Sequence, residues 1–287
     1  MKKLLLLFCV FMVAMLIAPF QAAADECYVR GDADGDGVVT IKDVTLLIDY
    51  LLTGQWPTQE FVVNDVPFTM VTVQGGTFMM GSPNPENAHQ VTLSTFCIGE
   101  TEVTRELWKA VMGYMPWSVP DTLLQQPIAN IYYSECMSFI DKLNEITGLT
   151  FRLPTEAEWE FAARGGNNSR GYTYSGSNDV DEVAWNPTNC SSAQFVGLKK
   201  PNELGLYDMS GNVWEMTKNW YGNYSTEPEV NPTGPETPSV NNARLCRGGG
   251  YWSSDSTASS CTVFTRGMWY SDRRFFDLGF RLVLELE

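Results

Sequence analysis

Four aspartates crowd one short stretch near the N-terminus. In residues 32–43 (DADGDGVVTIKD), Asp32, Asp34 and Asp36 occupy positions 1, 3 and 5 of a D-x-D-x-D-G-x5-D pattern. Gly37 permits the sharp turn at position 6, Val38 offers its carbonyl, Thr40 stands at position 9 and Asp43 closes the loop. Hard oxygen donors at this spacing wrap a calcium ion; without a cation the carboxylates repel one another. VTLLIDYLL follows, with Val44, Leu47, Ile48 and Leu51 along one helical face. Spacing, glycine and helix together predict a calcium loop rather than an acidic surface turn.

Other chemistries are excluded by what is scarce. One histidine, His89, stands in a polar loop (SPNPENAHQ) of a 287-residue chain. It cannot build a multi-histidine zinc or iron site, and the chain contains neither HExxH nor GxSxG. A formal net charge of −15 repels phosphate backbones, so no nucleic-acid partner is expected. The 44% apolar content is enough for a sizeable core.

Residues 1–24 have the pattern of an export signal: Lys2 and Lys3, an apolar run, then Ala22-Ala23-Ala24 before Asp25. The expected location is therefore secreted, periplasmic or cell-surface, with no stable membrane span after cleavage. Cleavage would leave a net charge of −17 and six cysteines: Cys27, Cys97, Cys136, Cys190, Cys246 and Cys261. Their wide spacing, without CxxC, argues against a thiolate zinc site and leaves the disulfide pairing open.

Behind these residues the chain divides into a calcium-loop–helix module over 25–54, a linker over 55–67 and a large domain over 68–287. FTMVTVQGGTFMMG reads as two short strands around a Gly-Gly turn. Helices are expected after Thr104 (RELWKAVMG), after Ser134 (ECMSFIDKLNEITG) and after Thr155, where TEAE forms a capping box. Short strands, few helices and long Gly/Pro/Asn loops predict an α+β fold. Trp108, Trp159 and Trp214 suit core packing, and Arg152, Glu158, Glu160 and Arg281 suit paired charges that hold the fold.

Two resemblances sharpen this reading. Residues 29–54 resemble one half of a type I dockerin, which implies either cohesin docking or a calcium-clamped cap or spacer. GGTFMMGS, GETEVTRELWKAVMG, FRLPTEAEWEFAARGG, PNELGLYDMSGNVWEM, RGGGYW and DLGFRLV occur in that order over residues 75–283. Together they resemble the formylglycine-generating enzyme, or sulfatase-modifying factor, domain, a variant of the C-type-lectin-like fold. Active members bind Cu(I) through two cysteines five residues apart; soft thiolates suit that ion. Counting back from Arg266 puts Ser253 and Ala258 at those positions, and Gly250 replaces a nearby active-site serine. A copper cofactor is therefore not expected, and a displaced Cys246/Cys261 site is the oxidase alternative. Ergothioneine-pathway relatives use several histidines for iron, which His89 alone does not supply.

The resemblance also implies a second calcium loop. Asp208, Gly211, Val213 and Glu215 in YDMSGNVWE would supply two carboxylates at the ends and two main-chain carbonyls between them. The family's active-site walls map onto residues 251–277. There Tyr251, Trp252, Ser253, Asp255, Trp269, Tyr270, Asp272 and Arg273 make a candidate ligand face of aromatics among short polar residues. Trp252 and Trp269 are expected to be its flat platforms. The segment is also compatible with the hypervariable region of retroelement-diversified C-type-lectin-like proteins. The reading that results is a secreted calcium-binding protein with a disabled catalytic domain that recognises a protein, peptide or glycan. Its alternatives are a copper-dependent formylglycine-generating oxidase acting on sulfatases and a cohesin-docking component of a polysaccharide-degrading assembly.

Overall fold

The structure, a computed structural model, describes residues 44, 58–82, 84, 88–240, 242–252 and 258–286. The chain divides into one unit of residues 1–57 with 286–287 and a second of residues 58–285. In the first, Val44 is helical and half-buried. The calcium-loop residues Asp32, Asp34, Asp36, Val38, Thr40 and Asp43 lie outside the described residues, as does the export segment.

In the second unit, the linker expectation for 55–67 fails from Thr58 onward. β1 (Thr58–Val63) and β2 (Val66–Val73) form an antiparallel hairpin with Phe61 opposite Phe68, their rings stacked at 5.4 Å. Asn64 and Asp65 turn the chain at φ 47° and 66°. Positive φ at both residues of a two-residue loop matches the right-handed twist of the paired strands. The Asn-Asp turn between two apolar stretches was the sequence signal for this hairpin.

β2 continues into a five-stranded sheet in the order β1-β2-β5-β12-β6, with β5 (Phe96–Gly99), β12 (Val283–Leu284) and β6 (Phe151–Arg152). β3 (Gly76–Gly81) begins at the Gly-Gly turn but joins a different sheet, beside β4 (Ala88–Leu93) and β8 (Glu229–Val230). The third sheet has the order β10-β9-β7-β11, from β10 (Gly267–Tyr270), β9 (Ala243–Arg247), β7 (Trp214–Trp220) and β11 (Leu278–Gly279).

The helices follow their local signals. α1 (Arg105–Met112) starts where the Thr104 hydroxyl accepts the Leu107 N–H and stops at Gly113, whose φ of 79° ends the helix. α2 (Tyr133–Thr147) begins two residues before the sequence signal, because the Glu135 carboxylate caps the Tyr132 N–H at 2.8 Å. α3 (Glu156–Ala163) carries the expected capping box, with Thr155 and Glu158 bonded reciprocally at 3.2 and 2.8 Å. α4 (Val180–Val183) is a single turn.

Every residue of α3 is buried. Its aromatics join the core between the sheets, where Trp159 and Phe161 lie with Val71, Val91, Ile98, Leu206 and Val283. Trp108 is also fully buried, against Phe139 and Phe280. Trp214 is only half-buried. As the first residue of β7 it lies beside Gly250 and Gly267, which present bare backbone to its ring, so the core reading holds for Trp108 and Trp159 alone.

Candidate functional site

The paired charges expected to hold the fold form two buried centres. At the first, Glu160 accepts Arg164 at 2.7 Å and also pairs with Arg247. Glu156 accepts Arg266 at 2.6 and 2.9 Å, and the Arg266 guanidinium stacks 4.0 Å from the Tyr224 ring. Two carboxylates thus meet three guanidiniums. Arg152 makes a separate pair with Glu158, 2.7 Å on each arm.

The second centre lies under the YDMSGNVWE loop. Arg281 donates to both oxygens of Glu215 at 2.6 Å and to the carbonyls of Gly99 and Tyr207, each at 2.9 Å. The Trp159 indole N–H adds a bond to Glu215 at 2.7 Å. Glu102 is buried beside this pair and accepts from the Asn212 amide at 3.2 Å and the Val213 N–H at 3.3 Å. Asp208 is also buried; one oxygen takes the Gly197 N–H at 2.7 Å, while Oδ1 has no hydrogen-bond partner. Three carboxylates share one guanidinium here. Burial pushes Asp208 up to about 6, and burial followed by repulsion from Asp208 and Glu215 pushes Glu102 well above the usual carboxylate range.

The loop itself is tightly wound. Asp208, Gly211 and Asn212 have φ of 56°, 81° and 58°. A Cβ at Gly211 would stand 2.3 Å from the Trp185 carbonyl oxygen, so no other residue fits. Among the described residues no three His, Cys, Asp or Glu side chains converge as a metal site. A calcium ion here would lean on Asp208 and the carbonyls of Gly211 and Val213, because both Glu215 oxygens are already bonded to Arg281. The partnerless Asp208 oxygen and the local excess of negative charge fit such an ion. Glu102 was missing from the sequence expectation because no motif ties GETEVT to a loop more than a hundred residues away; only folding brings them together.

The ligand-face residues separate. Tyr251 is half-buried against Ala129, Ala193 and Val213, and its N–H donates to the Asn212 carbonyl at 2.9 Å. The face is therefore bonded directly to the loop below it. Trp252 is 67% exposed; Tyr270, Asp272 and Arg273 are exposed as well, with Phe276 near them in sequence at 75%. Ser253 and Asp255 lie outside the described residues.

Trp269 does not offer a platform. It is 2% exposed, donates its indole N–H to the Leu245 carbonyl at 3.3 Å and packs on Tyr133. Alternation along β10 is the reason, since Met268 and Tyr270 point outward and Trp269 inward. The structure instead exposes part of Trp214 near this face.

At the copper positions, Ala258 precedes a short 3-10 turn over Ser259–Cys261. Cys261 packs with Val183 and Ala184, whereas the Cys246 sulfur lies toward Gly267 and Trp214. Burial pushes the Cys246 thiol up, away from the thiolate that a soft metal prefers.

With this geometry in place, known proteins give the class. Residues 59–286 match the sulfatase-modifying factor enzyme 1-like domain family, and the chain belongs to that family. It is 33% identical over 240 residues to a chaperone protein LppX of Paenibacillus barcinonensis, covering 66% of this chain and 80% of that protein. It is 36% identical over 147 residues to the formylglycine-generating enzyme of Streptomyces coelicolor, covering 45% of each. Among solved structures, Treponema denticola variable protein 1 superposes with a TM-score of 0.71 at 30% identity, covering 79% of this chain and 98% of the other.

Proposed function

We propose that this protein is an exported binding protein that uses the sulfatase-modifying factor fold, without its copper chemistry, to recognise a protein, peptide or glycan. The observation that carries this reading is the exposure of Trp252 and Phe276 on a segment where Ala258 stands at an expected copper-cysteine position. Large exposed aromatics serve recognition, whereas a methyl side chain cannot ligate Cu(I). Similarity to proteins named a chaperone and a variable protein supports a binding role. Among the described residues no helix is long and apolar enough to cross a membrane.

Calcium is the proposed cofactor, held at the 32–43 loop and at Asp208 with its neighbours. Ions at both would bring the net charge after cleavage from −17 to about −13. The dockerin-like segment would dock a cohesin or cap the domain; pull-down of cohesins by the full chain separates the two.

The test of the main reading is a glycan and peptide array probed with the protein, with and without calcium. Capture that is lost in Trp252→Ala supports it. Cu(I) binding with turnover of a CxPxR peptide would replace it with the oxidase. Hypervariability of residues 251–277 is tested by the gene's surroundings, where an adenine-rich template repeat is expected.

A further inference from the structure

Behind Trp252 stands a carboxylate that takes the main-chain N–H groups of Asp277 itself and of Trp252 but leaves one oxygen without a donor. Asp277 is 7% exposed. The Trp252 N–H donates to its carboxylate, and its main-chain carbonyl accepts the Trp214 N–H at 2.6 Å, but Oδ2 has no hydrogen-bond partner. That oxygen lies against bare main chain, since a Cβ at Gly250 would stand 2.6 Å from it and 3.1 Å from the Trp214 ring. Glycine at 250 therefore leaves to the Asp277 carboxylate and the Trp214 ring the space that a side chain there would occupy. The Trp214 ring, half-buried, flanks the same space, and Tyr251 lies close enough to feel the Asp277 charge.

A carboxylate oxygen without a donor is costly to bury. An aromatic face beside a carboxylate is the chemistry that receives a cationic nitrogen, because the ring quadrupole and the anion attract the same charge. The strongly acidic chain adds a long-range field of the same sign.

We propose that Asp277, with the Trp214 ring beside Gly250, is the specificity centre of the ligand face and receives the ammonium or guanidinium group of a basic peptide side chain. This rests on the binding-protein reading above and narrows its ligand to one class. A basic peptide is favoured over an uncharged glycan because the chain's net charge of −15 draws a cation, whereas a sugar hydroxyl would meet the carboxylate as a neutral donor.

The test is an array of short random peptides probed near pH 7 with calcium present, using wild type, Asp277→Asn and the exposed control Asp272→Asn. Captured peptides are expected to be enriched in Lys and Arg. Their binding is expected to fall about 10- to 100-fold in Asp277→Asn, the loss of one charge-assisted bond, and to persist in Asp272→Asn. Acetylating the lysines of a captured peptide is expected to mimic the loss. Capture without Lys or Arg enrichment, or capture indifferent to Asp277→Asn, overturns the assignment and leaves the binding-protein reading standing. Capture of neither peptides nor glycans by wild type overturns both.

Discussion

The two buried ionic centres differ in their balance of charge. Around Glu160, two carboxylates meet Arg164, Arg247 and Arg266, and short contacts account for the attraction. Around Glu215, three carboxylates face the Arg281 guanidinium, with Lys199 also acting on Asp208, and one Asp208 oxygen is left without a donor. The first centre has more guanidiniums than carboxylates, although Arg247 Nε has no hydrogen-bond partner. The second has more carboxylates than cations, and one hydrogen bond, from the Tyr251 N–H to the Asn212 carbonyl, joins its loop to the proposed ligand face. Burial of charge by itself therefore does not distinguish a structural pair from a site. The arithmetic of partners does.

The largest test of this contrast is a matched pair of substitutions. Arg281→Met is expected to lower unfolding stability by about 3–5 kcal/mol in urea titrations, because it strands three buried carboxylates. Arg247→Met should be milder, since Arg164 still faces Glu160. Equal losses would erase the distinction between the centres.

Calcium comes next. Saturating calcium against EGTA should add about 2–3 kcal/mol at a hundredfold excess over Kd, read as a rise in Tm. Asp208→Ala should abolish the part of that rise that belongs to the large unit, whereas Asp34→Ala should leave it. The reverse pattern would move the ion away from the second centre.

Asp277 extends the contrast to the face. Burial raises its value to about 6 from an ordinary 3.8, so the folded state holds the proton more tightly than the unfolded chain does. Its ionisation therefore opposes folding as pH rises from about 4 to 6, and the penalty is complete above that. Asp277→Asn should be more stable than wild type by about 1–3 kcal/mol near pH 7, converging with it near pH 4. A destabilised Asp277→Asn near pH 7 would make the carboxylate a structural group.

The smallest stability change is expected at Trp252→Ala, within about 0.5 kcal/mol, because this side chain is mostly in solvent. Trp269→Ala, one strand away, should cost about 3–5 kcal/mol through the cavity it leaves. Urea midpoints for the two would show directly which tryptophan belongs to the core.

Much of the fold was legible locally. Thr104, the Thr155–Glu158 box and Gly113 placed helix ends because capping is decided within one turn. The hairpin at Asn64-Asp65 lies within the segment expected to be a linker, and its pairing is decided by strand contacts across the turn. Trp269 was misplaced for a related reason: residue type suggests an exposed platform, but the period-2 register of β10 on β9 turns that ring inward.

Sequence by itself determined the family phrases, the carboxylate spacing from which calcium loops are proposed and the serine and alanine where the family's copper cysteines are expected, all properties of residue identity and short spacing. Tertiary structure decided which charges share a site. Glu102 reaches the Asp208 loop, and Asp277 reaches Gly250, only after strands far apart in the chain are packed together. A residue's partners, and so whether its charge is answered, are fixed by contacts of long sequence separation that no local pattern encodes.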